Sequence, residues 1–147
     1  MSATLRLKNL EDFDASRDQA GGLPIEVAFQ TIGKFQKTLL KRPLIFFVPG
    51  YGSNHYGPWV RHAMPRIYAL GYHVVAIPSS ASVDWIGQRY VSSPGNMELE
   101  AESNLKILAR ILKIYGSDVI SEVHLVGESY GAFVGSIMLS KDSEQIP

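Results

Sequence analysis

The sequence predicts an α/β fold, a mostly parallel sheet flanked by helices. Three observations carry that reading. Pro43-Leu44-Ile45-Phe46-Phe47-Val48-Pro49 and Tyr72-His73-Val74-Val75-Ala76-Ile77-Pro78 are continuous apolar runs. Continuous rather than alternating runs mark strands covered on both faces. Helix-period patterns separate them, and strands alternating with helices imply parallel pairing through right-handed crossovers. Finally, Val123-His124-Leu125-Val126 runs into Gly127-Glu128-Ser129-Tyr130-Gly131 and then into the apolar stretch from Ala132 to Leu139. That reads as a buried strand, a tight turn and a buried helix.

The elements follow in order. Thr4-Leu5-Arg6-Leu7-Lys8 alternates and suggests an edge strand; Glu11 to Gly22 is polar and reads as a loop. Ile25 to Ile32 alternates again, with Ile25, Val27 and Phe29 on one face. Gly33 marks a turn or bulge, and Lys34 to Leu40 continues the pairing. The strand ending at Val48 leads into Gly50-Tyr51-Gly52-Ser53-Asn54. Open α/β sheets bind ligands at such C-terminal strand ends. Pro58 to Leu70 is a helix with Trp59, His62, Ala63, Ile67 and Leu70 on its apolar face, Trp59 a core anchor and Pro65 a kink. Ser79 to Met97 is irregular and rich in serine and glycine, in the manner of a surface or binding loop. Asn96 caps a helix over Met97 to Tyr115, with Ala101, Leu105, Leu108, Ala109 and Leu112 inward and Gly116 at its C-terminus. Glu98, Glu100 and Glu102 suit the positive end of its dipole.

Composition narrows the function. The chain has 147 residues, 46% of them hydrophobic and 19% charged, which fits one domain over 1–147: an N-terminal edge strand and loop in 1–22, then a core in 23–147. Formal net charge is +0, so no basic surface for nucleic acid is implied. With no cysteine, disulfides and thiolate catalysis are excluded. Met1 to Asp18 holds no apolar signal core, and no run reaches membrane-spanning length. A cytoplasmic location is the expectation.

Gly127-Glu128-Ser129-Tyr130-Gly131 matches G-x-S-x-G, which a chain of this composition would contain by chance about 0.1 times. The context makes it specific. A strand turning abruptly into a helix strains the serine backbone, and side chains two residues to either side would crowd the apex. Gly127 and Gly131 meet that demand. Ser129 would then stand at a helix N-terminus, where the Tyr130 N–H and the dipole can meet a developing oxyanion.

Together, Leu44 to Ser53 and Gly127 to Gly131 resemble the N-terminal half of the α/β-hydrolase fold, over roughly Ile25 to Ser140. The resemblance implies a serine hydrolase, esterase- or lipase-like, acting on an ester or related acyl bond of a small molecule. Ser129 would be the nucleophile, with the N–H groups of Tyr51 and Tyr130 as the oxyanion hole and His55 a candidate substrate contact. No metal or organic cofactor is implied. The family usually has His-Gly where this chain has Pro49-Gly50, a change its loop tolerates because it works through a backbone N–H.

The family's acid and histidine follow the serine along the chain. Here Asp142 and Glu144 follow Ser129 and no histidine does; His55, His62, His73 and His124 all precede it. The expectation is an incomplete domain that stops after the helix following Ser129, inactive alone and open to association along its uncovered sheet edge. Two other readings compete. One is a non-catalytic, hydrolase-like module needing a partner chain. The other is a nucleotide-binding α/β domain, since Gly50-Tyr51-Gly52 begins G-x-G-x-x-G; but position 55 is His55 and no G-K-[ST] loop exists.

Overall fold

A central strand lined by residues that want no water on either side sets the architecture. The computed structural model describes residues 26–28, 31–32, 38–55, 57–87 and 94–142. Among these, β1 (Glu26–Ala28), β4 (Arg42–Val48), β5 (His73–Ala76) and β6 (Ile120–Gly127) form one sheet in the order β1-β5-β4-β6. β4 is parallel to both β5 and β6, and β1 is antiparallel to β5. β2 (Thr31–Ile32) and β3 (Thr38–Leu39) pair separately and antiparallel. This is the mostly parallel sheet expected. The edge strand and loop expected in 1–22, and the turn at Gly33, lie outside the described residues.

β4 explains its own composition. Leu44, Phe46 and Val48 join one core cluster with Ile107 and Ile111 of α3 (Met97–Tyr115) and Val134 and Met138 of α4 (Tyr130–Asp142). Ile45 and Phe47 alternate to the other face, against Val60 and Met64 of α1 (Pro58–Ala69). Each fully buried side chain of this size stabilises the fold by about 1.5–3 kcal/mol. The crossover through α1 and the one through α3 cover opposite faces, and because β4, β5 and β6 run parallel the loops after them gather at one end of the sheet.

Helix ends follow their sequence signals. Asn96 Oδ1 accepts the Leu99 N–H at 3.2 Å, and Gly116 closes α3 at φ 68°. α1 continues through Pro65, which faces solvent. No described helix is long and apolar enough to cross a membrane.

Four expectations need correction. Trp59 is 59% exposed, and the buried face of α1 is Val60 and Met64 with Ile67 beside them. The expected face was turned by about one residue, or 100°. On α3 the buried residues include Glu100, Asn104, Ile107 and Ile111; Ala109 is exposed, while Ala101 and Leu108 are inward as expected. The irregular segment after Ser79 contains a short helix, α2 (Val83–Gly87), whose Trp85 is buried. Lastly, β6 and α4 are only half covered. Among the described strands β6 pairs on one side alone, and Val126, Phe133 and Leu139 face solvent.

Candidate active site

Ser129 sits where β6 turns into α4, with φ 51°; it is the only non-glycine residue at positive φ among those described. L-residues avoid this region at a cost of about 1–2 kcal/mol. The surrounding main chain enforces it. Glu128 N–H donates to Val48 O at 3.0 Å, Gly131 N–H to Glu128 O at 2.8 Å, and Ala132 N–H to Ser129 O at 2.9 Å. The two glycines then have a steric reason. A β-carbon on Gly127 would lie 2.5 Å from Ala132 Cα, and one on Gly131 would enter the carbonyl oxygens of Val48 and Pro49.

The loop after β4 lies against this turn. Gly50 approaches Glu128, with space for a β-carbon at 3.6 Å from its carbonyl oxygen, so sterics alone do not require glycine there. Ser53 N–H donates to Gly50 O at 3.0 Å, closing a tight turn with Gly52 at φ 74°. The Tyr51 ring is 60% exposed and meets the Tyr130 ring edge to face, centroids 5.3 Å apart. Among the described residues, neither the Tyr51 nor the Tyr130 N–H finds an acceptor within the protein.

Beneath the tyrosines lies a polar cluster that helical pattern-reading missed. Glu100 is 1% exposed. Its Oε2 accepts the Ser80 hydroxyl at 2.6 Å and the Tyr130 hydroxyl at 3.1 Å, and its Oε1 accepts Ser80 N–H at 3.3 Å. Burial, followed by the neighbouring carboxylate, pushes the Tyr130 phenol up to about 12, so it remains a donor. Ser79 continues the cluster: its Oγ accepts Gly52 N–H at 3.2 Å and its N–H donates to Ser53 O at 2.9 Å. The signal for Glu100 was in the sequence, since it lies seven and eleven residues before Ile107 and Ile111, on one helical face.

The histidines are dispersed. His55 is half-buried in the loop after Asn54, downstream of Tyr51. His62 faces solvent on α1 beside Trp59. His73 is buried at the start of β5, its Nε2 2.8 Å from Leu40 O and 3.1 Å from Val119 O. His124 is exposed on β6, paired with Ile45, three residues before Gly127.

No family model and no curated protein matches the sequence. Solved structures do match. A dienelactone hydrolase from Anabaena variabilis aligns at a TM-score of 0.63 and 13% identity, over 97% of this chain and 59% of its own. The chain has the α/β-hydrolase fold. An esterase from Pyrococcus furiosus aligns at 0.56 and 17% identity, over 91% of this chain and 42% of its own. A carboxylesterase from Lactobacillus plantarum aligns at 0.53 and 19%, over 92% and 44%. The chain therefore spans about half the length of these α/β-hydrolase structures.

Proposed function

We propose that this chain carries the nucleophile and oxyanion hole of a serine hydrolase acting on an ester or related acyl bond. One observation supports it most: Ser129 is held at φ 51° between two glycines whose positions tolerate no side chain. Strain of this kind persists only where the surrounding structure over-determines it, and it concentrates at functional sites. The fold neighbours include a dienelactone hydrolase and an esterase, which agrees with the reading.

In the proposed reaction Ser129 Oγ attacks the acyl carbon while a histidine takes its proton. The tetrahedral oxyanion accepts the Tyr51 and Tyr130 N–H groups, both unclaimed within the described protein. Collapse expels the alcohol, which receives the proton, and water then releases the acid from Ser129 by the same route reversed. None of the residues from Tyr130 to Pro147 is a histidine, so the base in this reading is not one of the residues between Ser129 and Pro147. Burst kinetics on a p-nitrophenyl ester test it in the full-length protein. A burst matched to the enzyme concentration, absent from Ser129→Ala, is expected; steady turnover surviving in Ser129→Ala would refute it.

A second reading, a non-catalytic module completed by a partner chain, is favoured by the solvent-facing Val126, Phe133 and Leu139 beside a strand that, among the described strands, pairs on one side only.

A further inference from the structure

We infer that Glu100 is a positioning residue for the oxyanion hole, tying its two halves, Tyr51 and Tyr130, to one buried carboxylate; this rests on the hydrolase reading above. The two N–H groups belong to segments far apart in the chain, and catalysis needs them aimed at one point within a fraction of an ångström. Backbone hydrogen bonds position the Ser129 turn on β4, while the Tyr51 loop is held by its own turn and by Ser79.

Glu100 closes the circuit. Toward the turn it accepts the Tyr130 hydroxyl at 3.1 Å, which fixes the side chain of the residue that follows the serine. Toward the loop it accepts both the hydroxyl and the N–H of Ser80, at 2.6 and 3.3 Å. The adjoining Ser79 grips Gly52 and Ser53, the residues immediately after Tyr51. The Tyr130 ring, anchored at its hydroxyl, then presents its edge-to-face contact to the Tyr51 ring at 5.3 Å. Three donors converge on a carboxylate that is 1% exposed. A buried carboxylate is costly unless its hydrogen bonds are satisfied, and here every described partner leads to one or other half of the hole. Glutamine supplies one accepting oxygen in place of two and cannot hold all three donors.

The test compares wild-type, Glu100→Gln, Tyr130→Phe and the double variant in the full-length protein. It reads kcat per titrated serine, KM, and the affinity of a trifluoromethyl ketone that forms a tetrahedral adduct. Each single change is expected to lower kcat by about 10-fold with KM within about twofold, and to weaken the ketone by a similar factor. The double variant should lose little beyond either single one, because both cut one chain of contacts. Tyr130→Phe keeps its ring and carries the test if Glu100→Gln does not fold. Variants with wild-type kcat and ketone affinity, beside an active wild-type enzyme, would overturn this inference alone. An inert wild-type full-length protein would overturn the hydrolase reading and this inference with it.

Discussion

Gly131 lies directly against the main chain of Val48, so that a β-carbon on the glycine would enter the valine's carbonyl oxygen. The same oxygen accepts Glu128 N–H at 3.0 Å. The end of β4 therefore clamps the turn on both sides of Ser129, and the turn cannot relax without moving the central strand. Gly131→Ala should destabilise the protein by about 3 kcal/mol, as overpacking against rigid main chain does. Urea denaturation measures it. A loss below about 0.5 kcal/mol, the range of ordinary surface changes, would mean that the contact yields.

Strain at Ser129 predicts the opposite sign for a different change. Ser129→Gly removes the β-carbon from a residue at φ 51° and should stabilise by about 1 kcal/mol. Ser129→Ala keeps the β-carbon and should gain nothing. Both should abolish ester turnover. Urea midpoints of the three proteins, read beside activity, check the prediction, and equal stability of the Gly and Ala variants would contradict it.

His73 predicts a pH dependence. Burial lowers its pKa below the usual 6.5, against smaller opposing effects from the Leu40 and Val119 carbonyls. The unfolded chain then binds the proton more readily than the folded one. Its contribution is fully present above about pH 6.5 and is lost as pH falls below that value toward the folded pKa. Urea midpoints between about pH 7.5 and 5 should fall more steeply for the wild-type chain than for His73→Gln, whose amide can still donate to either carbonyl. Parallel profiles would show that His73 does not set the slope.

The uncovered edge predicts association. Expressed as these 147 residues, the chain should self-associate through β6 and α4, because Phe133 is 65% exposed and, among the described strands, β6 pairs on one side only. Val126→Lys together with Phe133→Glu should shift it toward monomer in light scattering. A monomeric wild-type chain at about 100 μM, far above the concentration at which micromolar contacts saturate, would contradict this.

Much of the fold was legible because β4 is apolar without interruption and the Ser129 turn is flanked by two glycines. Those features report local backbone requirements, which single residues reveal. The caps at Asn96 and Gly116 were legible for the same reason. Which face a helix buries was less so. On α1 the apolar residues nearly encircle the axis, and the sheet selected Val60 and Met64 over Trp59. On α3 an acidic residue in the first turn fits the dipole and a surface equally well. The sequence places Glu100 only as a dipole partner in the first turns; Ser80 and Tyr130, remote in sequence, bring the donors that allow it inside.

Covalent labelling with a fluorophosphonate probe, located by peptide mass spectrometry in the full-length protein, tests directly whether Ser129 is the nucleophile. One label is expected, on Ser129, absent from Ser129→Ala and reduced in rate by Glu100→Gln. A folded protein that takes no label, or takes it on another residue, would contradict the claim that Ser129 is the nucleophile.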